Sequence, residues 1–260
     1  MNTCKDCKYF DNCGDAERVE PCDGYTVNFE TPDAIRARID ANNKKIEKLT
    51  QFVSDADYII ERRNAETPDE RRKYRELARE NENAIKRATD KIYSLKIVNI
   101  ILIDNYKYAV FYTALPLIID ACAPYNGKSY GEKTREKIRD IMRENGYTFY
   151  IDHNSYIHIA KLDARGCCYP SDYVYGYTKH DAPMITSENK LNVDAIKTAR
   201  ISEKYTPDVN KRTTEIIKAY RKYCDVMENA ERVQSELNAL LPSKIDHYSC
   251  ASRYVKSLVY

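Results

Sequence analysis

A chain of 260 residues has room for one large domain or two smaller ones, and its 32% charged and 43% hydrophobic content argues against a membrane-embedded or a disordered protein. Lys plus Arg number 42 against 40 Asp plus Glu, a formal charge of +2. That balance disfavours a dedicated nucleic-acid binder, which carries a basic excess or a clear basic face. Trp is absent, whereas Tyr occurs 23 times against 5 Phe. Tyr combines a large ring with a polar tip, so it suits a half-buried core or a contact surface.

The chain begins with CKDCKYFDNCGDAERVEPC, in which Cys4, Cys7, Cys13 and Cys22 have the spacing C-x2-C-x5-C-x8-C. A CxxC turn aims two thiolates at one ion, and two further cysteines complete a tetrahedral sulfur site. A segment over 1–25 has almost no apolar core, so a structural zinc would supply its folding energy. An iron–sulfur cluster accepts the same four thiolates, and unligated thiols are the remaining reading. The stretch is polar and does not read as a signal peptide, so the expected compartment is a reducing cytosol, where cysteines serve as ligands or thiols rather than disulfides. A four-sulfur site has no open coordination position and argues against metal-assisted hydrolysis. Asp6, Asp11, Asp15, Glu17, Glu20 and Asp23 outnumber Lys5, Lys8 and Arg18, which suits phosphate poorly.

Thr31-Pro32-Asp33 reads as a helix start: a capping Thr, Pro at the first helical position and an acid in the first turn. Ile35, Ile39, Asn42, Ile46, Leu49, Val53, Ala56 and Ile60 then recur at alternating steps of four and three, a heptad seam with a polar residue at Asn42. Such a residue costs stability and can set register. Thr67-Pro68-Asp69-Glu70 repeats the start signal. Tyr74, Leu77, Asn81, Ala84, Ala88, Ile92, Leu95, Asn99 and Leu102 form a second stripe. The expectation for 31–103 is a long antiparallel, coiled-coil-like hairpin about 45 Å in length, at ~1.5 Å per residue. Each stripe is one seam wide, so the hairpin needs either the C-terminal helix or a second subunit, which leaves a homodimer through the helical seams open.

The most apolar run, 97–123, contains Asp104, Asn105, Lys107 and Asp120 and reads as a core helix rather than a bilayer span of about 20 uncharged residues. The expected boundary falls at 104, where a separate helix over 105–125 begins, kinked at Pro116. A short charged helix over 131–144 ends at Asn145-Gly146. YTFYI (147–151) and SYIHIA (155–160) flank Asp152-His153-Asn154 as a β-hairpin, and DYVYGYT (172–178) is a third strand. A short helix within 191–202 is capped by Asn192. Residues 104–205 thus form a small α+β subdomain. Thr206-Pro207-Asp208 starts a long helix running to about Leu241, stopped by Pro242, and the tail to 260 adds a last strand; 206–260 packs on the rest. The fold class is mainly α with a small α+β part.

NGKSYGEKT (126–134) imitates a phosphate loop, but the motif needs Gly five positions before Gly127, where Cys122 stands, and it needs a preceding strand. Nucleotide binding is rejected there. His153 and His158 lie across the hairpin near Asp152, and a packed or solvent-facing role outweighs acid–base catalysis on pattern alone, since His158 shares a strand face with Tyr156 and Ala160. Cys167-Cys168 lacks the spacing of a redox motif. Arg62, Arg63, Arg71, Arg72, Lys73 and Arg75 gather near the hairpin tip, partly offset by Glu61, Glu66, Asp69, Glu70 and Glu76. A solvated tip is the default, and a partner contact is the sharper reading.

The Cys-rich leader, the coiled-coil stretch, NGKSYGEKTREKI and YTFYI…SYIHIA together resemble proteins encoded by phages and prophages of Gram-positive bacteria, most closely over 125–160. The resemblance implies a cytoplasmic protein acting inside an infected or lysogenic cell, and it brings no functional residues to carry over. The leading expectation is a non-catalytic interaction protein that binds a host protein or nucleoprotein complex, such as an anti-CRISPR-like inhibitor of a defence system. The alternatives are a zinc-containing nucleic-acid-binding protein and an enzyme with a site near Asp152, His153 and His158.

Overall fold

The computed structural model describes residues 29–61, 68–178 and 182–240. The helices are α1 (Pro32–Glu61), α2 (Pro68–Cys122), α3 (Glu132–Glu144), α4 (Val193–Lys197) and α5 (Val209–Leu240). The strands β1 (Tyr147–Ile151), β2 (Ile157–Lys161) and β3 (Val174–Gly176) form one antiparallel sheet in the order β1-β2-β3. The protein is therefore mostly helical with a small sheet, as the periodicity suggests. The chain divides into two units, one ending at Val209 and the other beginning at Asn210.

Helix α1 starts where its capping signal stands. Thr31 Oγ1 accepts the Ala34 N–H at 3.3 Å, satisfying one of the donors a helix start leaves open. Between Asp33 and Ala56, the seven seam positions from Ile35 to Ala56 are the buried or half-buried ones, and every other position is exposed. This seam faces α2. Asn42 Nδ2 donates to Asn99 Oδ1 at 2.9 Å, and Asn99 Nδ2 donates to Asn43 Oδ1 at 2.8 Å. Arg36, six residues earlier, reaches Tyr106 instead, so the two helices run antiparallel. A one-turn slip would separate the asparagines, which is how polar seam residues set register.

The expected boundary at 104 is absent, because α2 is continuous over 55 residues, about 80 Å at ~1.5 Å per residue. The stretch has neither a glycine nor a proline to break it before Pro116, which sits on the exposed side of the helix without ending it. Its polar pair is accommodated: Asp104 stays exposed, and the fully buried Asn105 is hydrogen-bonded to the Thr206 backbone at both ends of its amide. The hairpin and the α+β part thus share one helix. By length and composition Glu76–Tyr125 is apolar enough to cross a membrane. Here its residues Val110, Phe111, Ala114 and Ile118 are buried in the core beneath the sheet.

That core is closed by Ile138 and Met142 of α3, by the inward side chains Phe149, Ile151, Ile157, Ile159 and Val174, and by the segment from Met184 to Ile201. Gly146 adopts φ +77 and donates to Arg143, ending α3 as a left-handed C-terminal residue. Asn192 Oδ1 accepts the Ala195 N–H at 3.1 Å and caps α4, as its position suggests. β3 is shorter than the expected 172–178. Pro170–Asp172 forms a 3-10 turn before it, and Tyr177 leaves the sheet to exchange backbone hydrogen bonds with Arg200 at 2.8 and 2.9 Å.

The third Thr-Pro-Asp signal behaves differently from the first. α5 begins at Val209 rather than Pro207. A capping residue's carbonyl must accept the first intrahelical bond. Thr206 is instead bonded through both its N–H and its carbonyl to the Asn105 amide, at 2.7 and 2.9 Å, and the helix starts two residues later than Pro207. The expected strand in the tail lies outside the described residues.

Candidate functional site

The sheet has one face on the core and one turned outward. Antiparallel register aligns Tyr150 with His158 and His158 with Tyr175, so alternation puts all three on the outer face, in line across the strands. The Tyr150 ring stacks on the His158 imidazole at 4.2 Å with an interplanar angle of 13°. Tyr175 meets the same imidazole edge-on at 4.7 Å, and Tyr173 meets Tyr150 edge-on at 5.5 Å. Tyr150 and Tyr175 remain 39% and 55% exposed, while His158 between them is 9% exposed. Burial raises the Tyr150 phenol pKa, and Tyr175 and Asp152 add to that.

The β1–β2 turn fixes the histidine. Asp152 Oδ1 accepts the Asn154 and Tyr156 N–H groups, each at 2.9 Å, and Ser155 takes φ +61 to allow it. Asp152 Oδ2 then lies 2.9 Å from His158 Nε2. Desolvation pushes the Asp152 carboxyl upward, but the Tyr156 N–H, the His158 hydrogen bond and the Asn154 N–H outweigh it, and its pKa lies below the ordinary value. An ionised Asp152 only accepts, so His158 donates through Nε2. Its other nitrogen, Nδ1, is buried with no hydrogen-bond partner.

This geometry limits the chemistry. A general base must reach a substrate proton at about 2.6–3.2 Å. Nε2 is committed to Asp152, and Nδ1 is sealed from solvent. The pair therefore acts as a clamp holding the turn and the aromatic row, not as an open acid–base pair. The structure brings Asp152 and His158 together and leaves His153 apart, on the wall of a groove of ≈ 370 Å³ with Tyr156, Tyr177 and Ile185. His180 and His247 lie outside the described residues.

The phosphate-loop imitation is occupied by the fold. The Gly127 N–H donates to Leu191 at 2.8 Å, Lys128 to Tyr125 at 3.0 Å, and Tyr130 to Asn189 at 2.8 Å. The stretch follows a helix and a 3-10 turn, and these backbone donors are already spent.

Cys4, Cys7, Cys13 and Cys22, the expected zinc ligands, lie outside the described residues, as do Arg62 and Arg63. Arg71, Arg72, Lys73 and Arg75 fall in the first turns of α2, and the exposed Arg72 faces Glu76 at 3.7 Å. Among the described residues no group of three or more His, Cys, Asp or Glu could hold a metal ion. Cys167 is an exposed free thiol and Cys168 a half-buried one. Cys168 raises the pKa of the neighbouring Tyr173 after burial itself. The aromatic row was only partly visible in the sequence. Alternation puts His158 with Tyr156 and Ala160, but Tyr150 and Tyr175 join it through strand register.

No family model matches this chain, and neither a curated protein nor a solved structure matches it.

Proposed function

We propose that the protein is a non-catalytic interaction protein that docks a protein surface against the outer face of its sheet. The observation that carries this reading is the row Tyr150–His158–Tyr175, exposed at its ends yet held rigid by Asp152 from the side and the core from below. Tyr is enriched at protein interfaces because it adds large contact area and a hydrogen-bonding tip at small entropic cost. A protein partner fits the surroundings better than a phosphate backbone does. Asp152, hydrogen-bonded to His158, sets a carboxylate at the edge of the row, where a phosphate would be repelled.

On this reading the partner is a host protein or nucleoprotein complex in the cytoplasm of a bacterium, and the protein is a phage or mobile-element inhibitor of a defence system. The four leader cysteines hold a structural zinc that ties down the N-terminal segment. The α1–α2 seam acts as a coiled-coil spacer, and the basic residues from Arg62 to Arg75 form a secondary contact.

The test is a photo-crosslinking amino acid placed in the full chain at 150, at 175 and, as a control, at the exposed position 133. The expected result is one defined protein adduct from 150 and 175 that is absent from 133. Exposed aromatics on a sheet can also stack bases. Adducts to nucleic acid, with retention that falls steeply with salt, would replace this reading with the nucleic-acid-binding one.

A further inference from the structure

We draw no further inference here: the strongest candidate, the groove between the β1–β2 turn and the segment after β3 lined by His153, Tyr156, Tyr177 and Ile185, carries nothing because no feature of the structure shows what occupies it.

Discussion

The Asn105 carboxamide and the Thr206 backbone exchange two hydrogen bonds across 101 residues of sequence: Thr206 N–H to Oδ1 at 2.7 Å and Nδ2 to the Thr206 carbonyl at 2.9 Å. Asn105 is fully buried in the middle of α2, so its amide acts as a surrogate peptide group for an extended segment. Asn105→Ala leaves a buried donor and acceptor without partners. The expected loss is about 2–4 kcal/mol, from two hydrogen bonds and the desolvation of the groups left behind. Urea denaturation of the two proteins measures it, and an unchanged midpoint would refute the clamp.

Gly176 is the point where the sheet meets α2. A Cβ there would collide with the Phe111 ring, and Phe111 is fully buried. Gly176→Ala should cost about 1–3 kcal/mol by overpacking. Phe111→Leu makes room, so the double variant should lose less than the two single changes summed. Additive losses in thermal melts would show that the contact is not the cause.

The Asp152–His158 clamp has an acid signature. The native Asp152 pKa lies below its ordinary value of 3.8, so the unfolded chain takes up the proton first. The stabilisation is complete above that ordinary value and disappears as pH falls through the native one. Asp152→Asn should lower stability at neutral pH and flatten the decline in that acid window. Denaturation midpoints of wild type and variant as a function of pH give the comparison. Parallel curves would exclude Asp152 as the source.

Thiol reactivity should divide the described cysteines. Cys122 is fully buried, and burial pushes its pKa up to about 12, whereas Cys167 is exposed. The thiolate is the reactive form. Iodoacetamide on the native protein should modify Cys167 and spare Cys122, with Cys122 labelled only after denaturant is added. Peptide mass spectrometry reads both sites, and early labelling of Cys122 would mean that the α2 core opens readily.

Local features were legible wherever one periodicity or one cap decides the matter. Seven of the eight expected α1 seam positions, Ile35 to Ala56, are buried or half-buried, Asn192 caps α4, Gly146 ends α3, and YTFYI forms β1 over the same residues. The exceptions are instructive. Thr31-Pro32-Asp33 and Thr206-Pro207-Asp208 carry the same local signal, yet only the first starts its helix at the Pro, while the Thr206 backbone is held at both its N–H and its carbonyl by the distant Asn105 amide. Asp104-Asn105 resembles a break, yet the helix continues, because a distant backbone segment satisfies the buried amide.

By itself the amino-acid sequence determined the helical seams, the strand alternation, the short caps and the balance of charge, all of which act within a few turns of chain. Only the tertiary structure decided that Tyr150, His158 and Tyr175 form one row, that Asp152 commits the imidazole nitrogen, and that Gly127 and Lys128 of the GKS stretch donate their backbone N–H groups within the fold. These depend on which strand lies beside which and in what register. Register comes from the packed core and from hydrogen bonds between residues far apart in sequence, where local preference carries no information.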